Sequence, residues 1–133
     1  MRTLRIGVAG LGRAFSVMLP TFVRDPRVAL VAAADPRAEA RERFTAEFSA
    51  KSYRSVEELC ADPAVEIVYV ATPHQHHARH AALAAQQGKH LLVEKPMALT
   101  LADAETMEKA ARGKVTALGY GYLRNPALQY AKE

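Results

Sequence analysis

Apolar residues run nearly unbroken through residues 4–9 (LRIGVA), 27–34 (RVALVAAA), 66–71 (EIVYVA), 89–93 (KHLLV) and 114–119 (KVTALG). Strands with one face in water alternate apolar and polar residues; these runs do not, so they read as strands covered on both faces. Between them lie segments with helical signals. Residues 13–24 form one, with Pro20 inside it, where a missing backbone donor predicts a kink or a split. Asp35 and Pro36 then read as the cap and first turn of a helix running to about Phe48. Residues 51–54 are a short extended piece. Ser55, with Glu58 three residues on, caps a short helix. A further helix spans residues 74–87, with Gly88 just past its end, and Thr100 caps one that stops near Gly113. Strands alternating with helices predict an α/β fold with a doubly wound parallel sheet. Residues 120–133 (YGYLRNPALQYAKE) leave that alternation and read as a crossover and the start of another helix.

Composition narrows the class. The chain has 133 residues, 50% of them apolar and 24% charged, which suits one soluble globular domain. No apolar run approaches the roughly 18 residues of a membrane span. The N-terminus runs straight into a strand, with no signal-peptide pattern. Cys60 is the lone cysteine, so an internal disulfide is excluded and a cytoplasmic setting is expected. The net charge of +4 is dispersed. Its densest group, Arg37, Arg41 and Arg43, alternates with Glu39, Glu42 and Glu47, as a solvated helix face does. No nucleic-acid or membrane partner is expected.

Ligands of parallel α/β sheets bind beyond the carboxyl ends of the strands. After the first strand come Gly10, Leu11 and Gly12, then Arg13 at the start of a helix. Two glycines here permit a tight turn and a close backbone approach to a pyrophosphate at the helix N-terminus. They also suit a turn with no ligand. Phe15 stands where the dinucleotide fingerprint carries a third small residue. After the second strand comes Asp35, 23 residues beyond Gly12. An acid at about that spacing accepts hydrogen bonds from an adenosine ribose and favours NAD. Arg37 is placed to pair a 2′-phosphate, which leaves NADP open. After the third strand come Thr72, Pro73, His74, Gln75, His76 and His77, with His80 beyond. His76 and His80 have the spacing of a zinc pair, but nothing completes the set, so surface histidines and no metal are expected. After the fourth strand come Glu94, Lys95 and Pro96. Lys95 suits a substrate or nicotinamide-ribose contact, or proton transfer; Glu94 and Lys95 also read as a surface pair.

Taken in order, GVAGLGR, AAADPR, ATPHQHH, GKHLLVEKPMALT and LGYGYLRNPA resemble the Gfo/Idh/MocA family, named for glucose–fructose oxidoreductase, inositol dehydrogenase and a rhizopine catabolism protein. The GKH…EKP block is the most specific part, and residues 6–22 look most like phthalate cis-dihydrodiol dehydrogenases. The resemblance implies an N-terminal Rossmann domain over residues 1–119. It makes residues 120–133 the crossover to a second α/β domain that this chain lacks. It implies NAD as cofactor, with NADP possible. It assigns Gly10, Gly12, Arg13, Asp35, Arg37, Thr72, Pro73, His77, Glu94, Lys95 and Pro96 to cofactor binding, and Lys95 to catalysis. The implied activity is hydride transfer between a nicotinamide and a secondary hydroxyl of a sugar, cyclitol or cyclic dihydrodiol. The chain alone is then expected to bind cofactor without turnover. A small-molecule substrate and a homo-oligomeric complete protein complete the expectation. The alternative is a non-catalytic dinucleotide-binding module or redox sensor.

Overall fold

A computed structural model describes residues 2–119. The elements are β1 (Leu4–Ala9), α1 (Arg13–Arg24), β2 (Val28–Ala34), α2 (Ala38–Phe48), β3 (Lys51–Tyr53), α3 (Val56–Ala61), β4 (Ile67–Val70), α4 (His77–Gln86), β5 (His90–Val93), α5 (Leu101–Ala110) and β6 (Thr116–Leu118). The strands form one sheet in the order β3-β2-β1-β4-β5-β6. Every pairing in it is parallel. The order reverses between β1 and β4, which puts a crevice at the carboxyl ends of those two strands. This is a doubly wound Rossmann sheet. Residues 51–53 join it as a sixth strand at one edge, one strand more than the five apolar runs.

Strand alternation sends successive side chains to opposite faces. Val68 and Val70 point into a cluster with Leu91, Val93, Ala81, Ala84 and Met107 under α3, α4 and α5. Ile6, Val8 and Tyr69 point the other way, against Phe15, Phe22 and Phe44 of α1 and α2. Phe15 and Phe44 meet with ring centroids 6.1 Å apart, and Phe22 meets the edge of Tyr69 at 5.2 Å. Each buried aromatic of this kind stabilises the fold by about 1.5–3 kcal/mol relative to exposure.

Three expectations are corrected. Pro20 does not split its helix: α1 runs unbroken from Arg13 to Arg24. Phe15 and Phe22 anchor its inner side, while Pro20 and Ser16 are exposed, so the carbonyl that loses its partner faces water. Asp35 does not cap α2, which starts at Ala38 after Arg37 with no side-chain cap. Its carboxylate is engaged elsewhere, as described below. The helix after β4 opens as a single 3-10 turn at His74–His76 before α4 begins. Ser55 and Thr100 cap α3 and α5 as expected, accepting from Glu58 N at 3.2 Å and Asp103 N at 3.1 Å. The expected crossover at 120–133 lies outside the described residues. Among the described residues no helix is long and apolar enough to cross a membrane.

Candidate dinucleotide cleft

The first turn of the site is made by Gly10. Its N–H donates to Ala34 O at 2.9 Å, and its φ is +93°. A Cβ added there would lie 2.7 Å from Ala71 O and 2.9 Å from Thr72 N. The end of β1 is therefore wedged between the ends of β2 and β4, and only glycine fits. Gly12 is different. It is the N-cap of α1 at φ −90°, and a Cβ added there meets nothing within 4 Å. No side chain caps α1, and its first turn holds no acid. The free N–H groups and positive end of the helix dipole thus face open space.

Asp35 closes the other side. It is buried at the end of β2. Oδ2 accepts from Leu11 N at 3.0 Å, and Oδ1 accepts from Arg37 N at 2.9 Å. The Arg37 guanidinium donates from Nε to Oδ1 and from Nη2 to Oδ2, both at 3.0 Å. Burial raises the Asp35 pKa, but the Arg37 side chain, the two backbone donors and the Arg37 charge together outweigh it. The carboxyl is held below its ordinary value. Asp35 therefore stays ionised and locks the glycine loop to the turn before α2. Arg37 reaches it from solvent, with 62% of its side chain exposed.

The β4 end supplies Thr72 and two histidines. Both are buried, against the expectation of surface histidines: His77 is 1% exposed and His80 6%. His77 and His80 share the inner face of α4 with Ala81, Ala84 and Ala85, and that helical spacing was the available signal. His77 Nε2 lies 2.7 Å from Thr72 O and Nδ1 lies 2.8 Å from Pro96 O, so one ring spans the loops after β4 and β5. Both of these partners are acceptors, so a ring N–H can donate to either. His80 Nδ1 lies 2.8 Å from Thr72 Oγ1. His76 and His80 are ring neighbours, but no cluster suited to a metal occurs among the described residues.

The loop after β5 also departs from expectation. Glu94 is not the partner of Lys95. Its Oε1 accepts from the Tyr69 hydroxyl at 2.7 Å, across the strand boundary. Burial and the Glu94 carboxylate push the Tyr69 pKa well up, so Tyr69 remains a donor. Tyr69 is a contributor that residue type did not flag, and His80 was singled out only as half of a zinc pair.

Gly10, Gly12, Arg13, Asp35, Arg37, Thr72 and Pro73 come together around one open cleft of about 640 Å³. Arg54, Glu57 and Arg79 extend its rim. His77 lies beneath it, while Glu94, exposed Lys95 and Pro96 lie outside its lining, on the neighbouring strand end. The arrangement offers a helix N-terminus for a diphosphate and a fixed carboxylate for ribose hydroxyls.

Known proteins share this fold. Residues 4–122 fit the model of an oxidoreductase family with an NAD-binding Rossmann fold, Gfo/Idh/MocA. A 1-carboxy-3-chloro-3,4-dihydroxycyclohexa-1,5-diene dehydrogenase from Comamonas testosteroni is 48% identical over 98% of this chain. This chain covers 34% of that enzyme's length. A crystallised 3-ketoreductase from Actinomadura kijaniata, in complex with NADP, is 28% identical with a TM-score of 0.90, over 98% of this chain and 41% of its own. The scyllo-inositol dehydrogenase of Lactobacillus casei, solved with NAD(H) and scyllo-inositol, shares the fold at a TM-score of 0.91 and 20% identity, over 98% of this chain and 40% of its own.

Proposed function

The chain belongs to the Gfo/Idh/MocA oxidoreductase family, and we propose that it is the cofactor-binding part of an NAD(P)-dependent dehydrogenase. The substrate class is a small molecule with a secondary hydroxyl: a sugar, a cyclitol or a cyclic dihydrodiol. The name of the Comamonas protein supports the dihydrodiol member of that class. The observation that carries the reading is the pairing of an open, uncapped α1 N-terminus at Gly12 with the buried Asp35 carboxylate across one cleft.

These residues fit a dinucleotide. Gly12 and the first N–H groups of α1 hold its diphosphate, with Arg13 at the rim. With the Arg37 guanidinium swung off it, Asp35 accepts from the adenosine ribose hydroxyls, which favours NAD. Arg37 is the residue that admits NADP: a guanidinium mostly in solvent turns outward to meet a 2′-phosphate. Thr72 and Pro73 line the middle of the cleft, and His77 fixes them relative to Pro96. The bound nicotinamide supplies the hydride chemistry. Lys95 is the one catalytic residue assigned to this chain. It hydrogen-bonds the reacting hydroxyl and orients or polarises it, while Glu94 stays with Tyr69. A second domain supplies the remaining substrate contacts. The complete protein is a homo-oligomer working in the cytoplasm, and this chain alone binds cofactor with little turnover.

Calorimetric titration of the 133-residue chain with NAD and with NADP tests the reading, with Gly12→Asp as control. Binding of NAD that the added carboxylate abolishes is the expected result. Absence of binding by either dinucleotide overturns it.

A further inference from the structure

A line of side chains runs from the rim of the cleft to its centre. Glu57 on α3 pairs with Arg79 Nη1, and Arg79 Nη2 lies 3.0 Å from His80 Nε2. His80 Nδ1 then lies 2.8 Å from Thr72 Oγ1. A guanidinium has donors and no acceptor. So His80 Nε2 must accept, and it carries no proton. The single proton of the neutral ring is therefore on Nδ1. That N–H faces Thr72 Oγ1, which must accept it. The threonine hydroxyl has one hydrogen, and it cannot point back at a donor. It is left to point away from His80, and Thr72 lines the cleft.

From this chain we infer that His80 is a positioning residue: through Thr72 it presents an obligate hydroxyl donor to an acceptor oxygen of the bound dinucleotide. The inference rests on the dinucleotide reading above and deepens it. The ring is set for the task by its surroundings. Burial first, then the charge of Arg79 and the neighbouring His76 and His77, press against protonation of His80, with Glu57 opposing. Its pKa is lowered to about 4. The donor direction is thus constant from mildly acid to alkaline pH. A ligand that offers a donor at this point leaves the Thr72 hydroxyl unpaired and is disfavoured.

Two measurements test it. Nitrogen NMR of the 133-residue chain labelled at histidine reads the wild-type tautomer directly, with no ligand and no variant. A proton on Nδ1 of His80 is expected; a proton on Nε2, or on both nitrogens at neutral pH, overturns the inference. Calorimetry with NAD then compares His80→Leu and His80→Asn, each with and without Thr72→Val. His80→Leu is expected to weaken binding about fivefold to tenfold, the effect of one hydrogen bond. His80→Asn, with an amide donor near the place of Nδ1, restores most of it. In the Thr72→Val background His80→Leu changes nothing further. An equal loss with and without the threonine hydroxyl marks a merely structural role and overturns the inference. If wild type binds NAD and His80→Leu binds it equally well, this inference fails and the dinucleotide reading stands. If wild type binds neither dinucleotide, that reading fails and the ligand half of this one with it, whatever the tautomer.

Discussion

Gly10 and Gly12 are both parts of one glycine turn, yet the structure gives them separable roles, and alanine at each position separates them experimentally. At Gly10 the backbone stands at φ +93°, where an L side chain costs about 1–2 kcal/mol. The added methyl also meets Ala71 O at 2.7 Å and Thr72 N at 2.9 Å, which are backbone atoms of a central strand end and cannot swing aside. Overpacking of that kind adds about 1–3 kcal/mol. Gly10→Ala should therefore destabilise by about 3–4 kcal/mol, a large part of the roughly 5–15 kcal/mol of a typical domain. At Gly12 the backbone is at φ −90° and the methyl meets nothing within 4 Å. Loss of a permissive N-cap residue costs up to about 1 kcal/mol, partly offset by the lower entropy of the unfolded chain. The methyl does, however, project into the open space over the α1 N-terminus, the place proposed for the diphosphate. Gly12→Ala should fold almost normally and bind NAD at least about tenfold more weakly. Urea denaturation gives the two stabilities, and calorimetry gives the affinity of the folded variants. A Gly12→Ala chain that folds and binds NAD as wild type does would refute the assignment of that glycine to the phosphate. Unchanged stability in Gly10→Ala would refute the wedge.

The other predictions concern selectivity, pH and catalysis. Asp35→Ser should lower NAD affinity about tenfold and move the preference toward NADP, whereas Arg37→Ala should weaken NADP alone; an unchanged NAD-to-NADP ratio in Asp35→Ser removes the carboxylate from the ribose. Stability should fall as pH drops from about 6.5 toward about 4, because His80 takes its proton in the unfolded chain before it does in the folded one. The loss is on the order of 3 kcal/mol at most, Asp35 adds in the same direction at lower pH, and a urea midpoint that is flat from pH 7 to about 4.5 contradicts the burial argument. In the complete protein Lys95→Met should reduce kcat by about 100-fold or more while NAD affinity is kept; unchanged turnover would remove Lys95 from the catalytic machinery.

What could be read from the residues followed from how local each cause is. The central strands were legible because a sheet covered on both faces demands unbroken apolar runs, and Asp35 because its place depends only on where β2 ends. The extended piece at Lys51–Tyr53 was legible but its place in the sheet was not, since three residues carry no pattern until Ala32–Ala34 lie alongside. The division between Gly10 and Gly12 depends on Ala71, which is remote in sequence and adjacent only in the sheet. Glu94 was read with Lys95 because they are consecutive, but Glu94, just past the end of β5, keeps the face of Leu92. Tyr69 stands opposite Leu92 in the ladder, and Glu94 lies two residues on from Leu92, on the same face. The Tyr69–Glu94 hydrogen bond is therefore a consequence of register. The burial of His77 and His80 was missed because the histidines were read as a surface set. Their places on α4 repeat those of Ala81, Ala84 and Ala85, so they had to be buried, and a buried imidazole needs partners. Those partners are atoms of Thr72 and Pro96, in the loops that follow β4 and β5. The two histidines thus turn the inward face of an alanine-rich helix into the fastening of the cleft, which is why their polar character belongs to the site and not to the surface.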